Sequence, residues 1–103
     1  MVKHYVMLEI GATEGKTKEE NILAVLNALR SLEGKIPGLL AIEAELNAKV
    51  DAKSNEIDVM LVTEFPDFAA LERYQAHPEH VKVLDFIKTV LVSRWAVDYE
   101  VRG

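Results

Sequence analysis

The sequence predicts an α+β fold with split βαβ connections and a four-stranded antiparallel sheet. Three observations predict it. Four stretches follow the two-residue period of strands, three carry apolar residues at helical spacing, and their order is β-α-β-β-α-α-β. Nothing in the 103 residues marks a repeat, a low-complexity segment or a second domain, so one domain over 1–103 is expected.

The first strand spans His4 to Ile10, with His4, Val6, Leu8 and Ile10 on one side and Tyr5, Met7 and Glu9 on the other. After a loop from Gly11 to Lys16, Thr17 and Glu20 form a capping box, in which each side chain satisfies an amide at the start of a helix. Ile22, Val25, Leu26, Leu29 and Leu32 trace the apolar stripe of that helix, and Gly34 is placed to end it. The turn Ile36-Pro37-Gly38 leads into a second strand, Leu39 to Leu46, and the polar stretch Asn47 to Asn55 leads into a third, Glu56 to Phe65. In the third strand Ile57, Val59, Leu61 and Thr63 oppose Asp58, Met60, Val62 and Glu64. Asp67 can cap a helix running to Ala76, because Pro78 pushes His77 out of the helical region. Pro78 suits the first turn of another helix, expected to reach Leu91. The last strand, Ser93 to Val101, sets Trp95, Val97, Tyr99 and Val101 against Arg94, Ala96, Asp98 and Glu100.

Helices can cover only one face of this sheet, yet both faces carry apolar side chains. The uncovered face would hold Tyr5, Met7, Met60, Val62, Trp95, Val97 and Tyr99. Seven such residues exceed ordinary surface scatter, so a homodimer through the sheet face is expected. Half of the residues are apolar, which agrees with surface left over for a partner or ligand.

Composition excludes several functions. The net charge is −5, and 12 scattered basic residues are outnumbered by 17 acidic ones, which argues against nucleic acid. No apolar run approaches the ~20 residues of a membrane span. Without cysteine there are no disulfides, thiolate ligands or thiol nucleophiles. Met1 to Tyr5 runs straight into alternation with no signal-peptide pattern, so a cytoplasmic location is expected.

His80 occupies the third position of the last helix, and Val83, Leu84, Ile87 and Leu91 follow it on one apolar, core-facing stripe. The positive end of the helix disfavours the imidazolium, and a neutral imidazole in an apolar site is a competent general base near pH 7. It is equally the kind of histidine that serves as a satisfied core residue. Tyr74 could offer a phenol to a substrate oxygen, and His4 shares a strand face with Val6 and Leu8. Val6, Leu8 and Leu61 are the apolar walls expected between sheet and helices. Arg94 falls on the same side, where it could meet a carboxylate ligand, although a bond to Glu64 or Asp98 is the simpler expectation. His77 reads as structural, its ring bonding exposed backbone at the helix junction. The proline between His77 and His80 removes helical ligand spacing, so no metal site is expected, and no phosphate loop, dinucleotide fingerprint or Ser-His-Asp pattern is present.

The segments Phe65-Pro66-Asp67 and Tyr74-Gln75-Ala76-His77-Pro78-Glu79-His80, with Val97-Asp98-Tyr99-Glu100, the Lys3-His4 opening and the Lys35-Ile36-Pro37-Gly38 turn, resemble the stress-responsive A/B barrel (Dabb) family over nearly the whole chain. The resemblance implies a ferredoxin-like fold whose dimer forms an α+β barrel. Within the family, the histidine–tyrosine constellation is similar to that of plant polyketide cyclases of the olivetolic acid cyclase type. That likeness implies His80 as general base, Tyr74 as substrate-binding phenol and His4 as a cavity histidine, in a cofactor-free aldol ring closure of a poly-β-keto thioester. This chain has Val25 and Leu26 where those cyclases carry a tyrosine. Some plant relatives hold magnesium at the dimer interface; no residues here fix such a site. Three functions stay open: a module binding a small apolar or keto ligand, a cofactor-free proton-transfer enzyme, and a structural assembly protein. A closed cavity of a few hundred Å³ is expected of the first two.

Overall fold

A computed structural model describes residues 1–102. Its elements are β1 (Val2–Ile10), α1 (Lys18–Arg30), β2 (Ala41–Leu46), β3 (Val59–Phe65), α2 (Phe68–Ala76), α3 (Pro78–Lys88) and β4 (Leu91–Glu100), with a short 3₁₀ turn at Ala52–Ser54 between β2 and β3. The sheet is antiparallel in the order β2-β3-β1-β4. The α+β class and the split βαβ order are therefore as the periodicities imply.

Thr17 caps α1 through the reciprocal box with Glu20, at 3.1 and 2.9 Å. The helix closes at Arg30 and not at Gly34. Beyond it the amides of Leu32, Glu33 and Lys35 reach back three residues instead of four, tightening the chain into turns. Gly34 takes the left-handed φ of 76° inside those turns, and Leu32 is buried outside the helix. Several strand bounds shift as well. β1 begins at Val2, β2 at Ala41 and β3 at Val59, and α3 stops at Lys88.

The largest revision concerns β4, which starts at Leu91 and not at Ser93. The register with β1 runs Leu8↔Arg94 and Glu9↔Ser93, then slips to Ile10↔Leu91, leaving Val92 as an extra residue. A strict two-residue alternation would set Leu91 and Arg94 on opposite faces. The bulge brings both to the helix-covered side, beside Leu8 and Ile10, which is why pattern reading assigned Leu91 to the preceding helix.

The helices cover one face of the sheet and bury two clusters. Val6, Leu8, Ile10, Val59 and Leu61 pack on Val25, Leu26, Leu29 and Ile87. Val2, Phe65 and Leu32 pack on Ala70, Leu71 and Tyr74. On the other face Met7 pairs with Met60 and Trp95, and Tyr5 with Val62 and Val97. In the single chain Trp95, Val97 and Tyr99 are 39%, 53% and 45% exposed. Among the described residues no helix is long and apolar enough to cross a membrane.

Candidate functional site

Where the two clusters meet, between β1, β3, β4 and the helices, lies a cavity of about 190 Å³. It is smaller than the expected few hundred Å³ and is a pocket with a mouth, not a sealed void. His4, Val6, Leu8, Leu61, Tyr74, His80 and Arg94 all line it, so the seven residues singled out in the sequence share one wall system. Leu29, Gln75, Leu84, Ile87 and Leu91 complete it. Leu84, Ile87 and Leu91 were visible as the apolar stripe that follows His80. Gln75 carried no signal, because its contribution is through the backbone.

His80 is placed by the junction between α2 and α3. His77 has an extended ψ of 136°, and its Nδ1 accepts the Glu79 amide at 3.1 Å, so it caps α3 as its position before Pro78 implied. One turn into α3, His80 Nδ1 lies 3.1 Å from the Gln75 carbonyl oxygen. A carbonyl only accepts, so Nδ1 carries the proton and the Nε2 lone pair is left over. Burial lowers the pKa of His80; the Gln75 carbonyl pulls it upward, and the nearby His4 and Arg94 lower it further. Desolvation therefore outranks the helix terminus invoked from sequence as the reason for a neutral ring.

The His80 ring packs on Tyr74, with centroids 4.4 Å apart, and Tyr74 packs on Phe65 at 5.0 Å. Tyr74 is 0% exposed, and its hydroxyl finds no hydrogen-bond partner. Burial pushes the phenol up to about 12, so the hydroxyl remains a donor throughout the physiological range. A buried hydroxyl with no partner costs about 1–3 kcal/mol. Tyr74 is one of the residues that line the cavity.

His4 is 4% exposed and sits in the middle of a cross-strand row, Thr63–His4–Asp98. Its Nδ1 donates to the Asp98 carboxylate, which fixes the tautomer and leaves Nε2 as an acceptor. Asp98 is the residue that sequence reasoning missed as a partner for His4. Alternation had put it on the helix side, but the β1–β4 register was needed to bring it opposite His4. Arg94 consequently does not have Asp98 as its counter-ion. Glu64 pairs with Lys3 and lies on the other face of the sheet. Among the described residues Arg94 forms no ion pair, which corrects the simpler expectation. No group of three or more metal-ligating side chains occurs among the described residues.

No curated protein matches the chain. Solved structures do. A dimeric protein of unknown function and ferredoxin-like fold from Bacteroides fragilis is 30% identical with a TM-score of 0.78, over 97% of this chain and 95% of that one. A dimeric ferredoxin-like protein of unknown function from Thermobifida fusca is 23% identical with a TM-score of 0.81, over 97% and 90%. A Dabb family protein with a ferredoxin-like fold from Mesorhizobium loti is 25% identical with a TM-score of 0.67, over 99% and 97%. The model of the stress responsive A/B barrel domain matches residues 2–101, and the chain belongs to that family.

Proposed function

We propose that the cavity binds a small, largely apolar molecule through a carbonyl or hydroxyl oxygen, with the Tyr74 hydroxyl donating the hydrogen bond. The observation that carries this reading is the orphaned hydroxyl of Tyr74, a residue lining a cavity whose walls are mostly aliphatic. At about 190 Å³ the space falls below the ~300–1,000 Å³ of drug-sized pockets, which favours a compact ligand. A purely structural assembly protein has no use for such a space, which side chains would fill. Calorimetry with cyclohexanone tests the reading. Wild-type protein should bind it, and Tyr74→Phe should weaken binding about fivefold, the worth of one neutral hydrogen bond. Equal affinity of the two proteins would remove the Tyr74 hydroxyl from the site.

The fixed tautomer of His80 favours a second, more specific reading: cofactor-free proton transfer on a keto compound. His80 Nε2 takes a proton from the carbon next to the carbonyl, the C–H electron pair moves into the enolate, and the Tyr74 hydroxyl stabilises the enolate oxygen. Attack of that enolate on a second carbonyl is the aldol ring closure of the polyketide cyclase type. His4, held by Asp98, supplies a second oriented imidazole on the same wall. Hydrogen–deuterium exchange at the α-carbons of cyclohexanone, followed by NMR in D₂O, measures the first step without knowledge of the natural substrate. His80→Ala should reduce enzyme-dependent exchange to background while leaving the melting temperature within a few degrees. Exchange that persists in the variant would reject His80 as the base.

We also read the protein as a homodimer through the open sheet face. The exposed Trp95, Val97 and Tyr99, and the dimeric state of the Bacteroides fragilis and Thermobifida fusca proteins, support this assembly.

A further inference from the structure

We propose that the ligand of this cavity is a small monocarboxylate, its carboxylate gripped by the Arg94 guanidinium and its apolar body lying among Leu8, Leu61, Ile87 and Leu91. The inference rests on the small-molecule reading above and narrows it to one chemical class.

The backbone places Arg94 deliberately. The Leu8↔Arg94 pairing sets Arg94 on the helix-covered side, so the guanidinium stands at the cavity and not on the open face of the sheet, and the one-residue slip at Val92 brings Leu91 to the same wall. The charge of the wall is one-sided. Among the described residues that line the cavity, Arg94 is the permanent cation and no Asp or Glu is present. The chain as a whole has 17 acidic against 12 basic residues, so a carboxylate-free wall around an arginine is contrary to its composition. The two carboxylates that could have neutralised Arg94 are otherwise placed. Asp98 holds His4, and Glu64 belongs to the opposite face.

An exposed guanidinium costs little while water solvates it, which explains how the free protein tolerates it. A carboxylate arriving from solvent meets a planar fork of donors that matches its two oxygens, beside apolar walls that strengthen the attraction. His80, uncharged and with Nδ1 committed to Gln75, does not compete for that carboxylate. The far end of the ligand then reaches Tyr74, so a ketone or hydroxyl oxygen there would make the best ligand an oxo or hydroxy acid.

Hexanoate and hexanamide, equal in size and shape, separate charge from fit. By calorimetry at low ionic strength the wild-type protein should bind hexanoate at least about tenfold more tightly than hexanamide. Arg94→Gln should weaken hexanoate about tenfold and leave hexanamide unchanged, and Arg94→Lys should restore part of the loss. Equal affinities for the two probes, or hexanoate binding that survives Arg94→Gln, would overturn the inference. If cyclohexanone binds while hexanoate has no advantage over hexanamide, the pocket reading stands and the carboxylate assignment falls. If none of the three probes binds, both fall together.

Discussion

At the scale of single residues, the site is organised by which hydrogen-bonding atoms are spoken for. His80 and His4 each commit Nδ1, to the Gln75 carbonyl and the Asp98 carboxylate, and each keeps Nε2. Tyr74 has committed nothing. Its hydroxyl should therefore be a burden to the empty protein: Tyr74→Phe is expected to be stabilising by about 1 kcal/mol in urea denaturation, even as it weakens ligand binding. Loss of stability instead would mean that the hydroxyl is satisfied in solution. The depressed pKa of His80 has a signed consequence for activity. The free base persists below the unperturbed value of about 6.5, so α-proton exchange should hold its plateau through pH 6.5 and decline only at lower pH. Of these features the sequence disclosed the residue types and the faces they occupy. It did not disclose which nitrogen was free, because Gln75 acts through its backbone and Asp98 through a cross-strand register.

At the scale of elements, one buried carboxylate ties the start of β3 to the end of β1. Asp58 is 2% exposed. It accepts the Ile10 amide at 2.8 Å, Lys49 at 2.6 Å and Lys18 at 3.1 Å. Burial raises its pKa, but the Ile10 amide and the two lysines outweigh burial and hold it below the ordinary carboxylate range. A depressed carboxylate contributes stability above its unfolded pKa, about 3.9, and loses it as pH falls through the lower folded value. Asp58→Asn should cost about 2 kcal/mol at pH 7, with the gap to wild type narrowing as pH falls below the ordinary carboxylate range; a gap independent of pH would contradict the ionic account. This latch was not legible from the alternation, which put Asp58 on the open face with Met60 and Val62. The strand becomes regular only at Val59, so the parity does not extend back to Asp58.

At the scale of the whole molecule, the exposed apolar sheet face is the dominant unfinished business of the single chain. If two copies close over it, light scattering at tens of micromolar should report twice the 11.6 kDa of one chain. Trp95→Glu, which places a charge in the middle of that face, should return the 11.6 kDa species with a solvent-exposed indole spectrum. A wild-type protein of 11.6 kDa would refute the dimer. The cavity opens on the other side of the sheet, so the monomeric variant should still bind cyclohexanone. That separates the assembly from the pocket.

The sequence by itself determined the element order, the capping of α1, the separation of the two sheet faces and the set of seven residues that reach one cavity. These are local matters, written in periods of two and about 3.6 and in the fixed preferences of proline and capping side chains. Tertiary structure alone decided the bulge at Val92, the His4–Asp98 pair, the isolation of Arg94 from any carboxylate and the volume of the cavity. Each of these depends on how β4 docks against β1, a pairing of residues more than 80 positions apart. Register of that kind is fixed by the summed packing of both strands and the helices above them, not by any pattern carried within one segment.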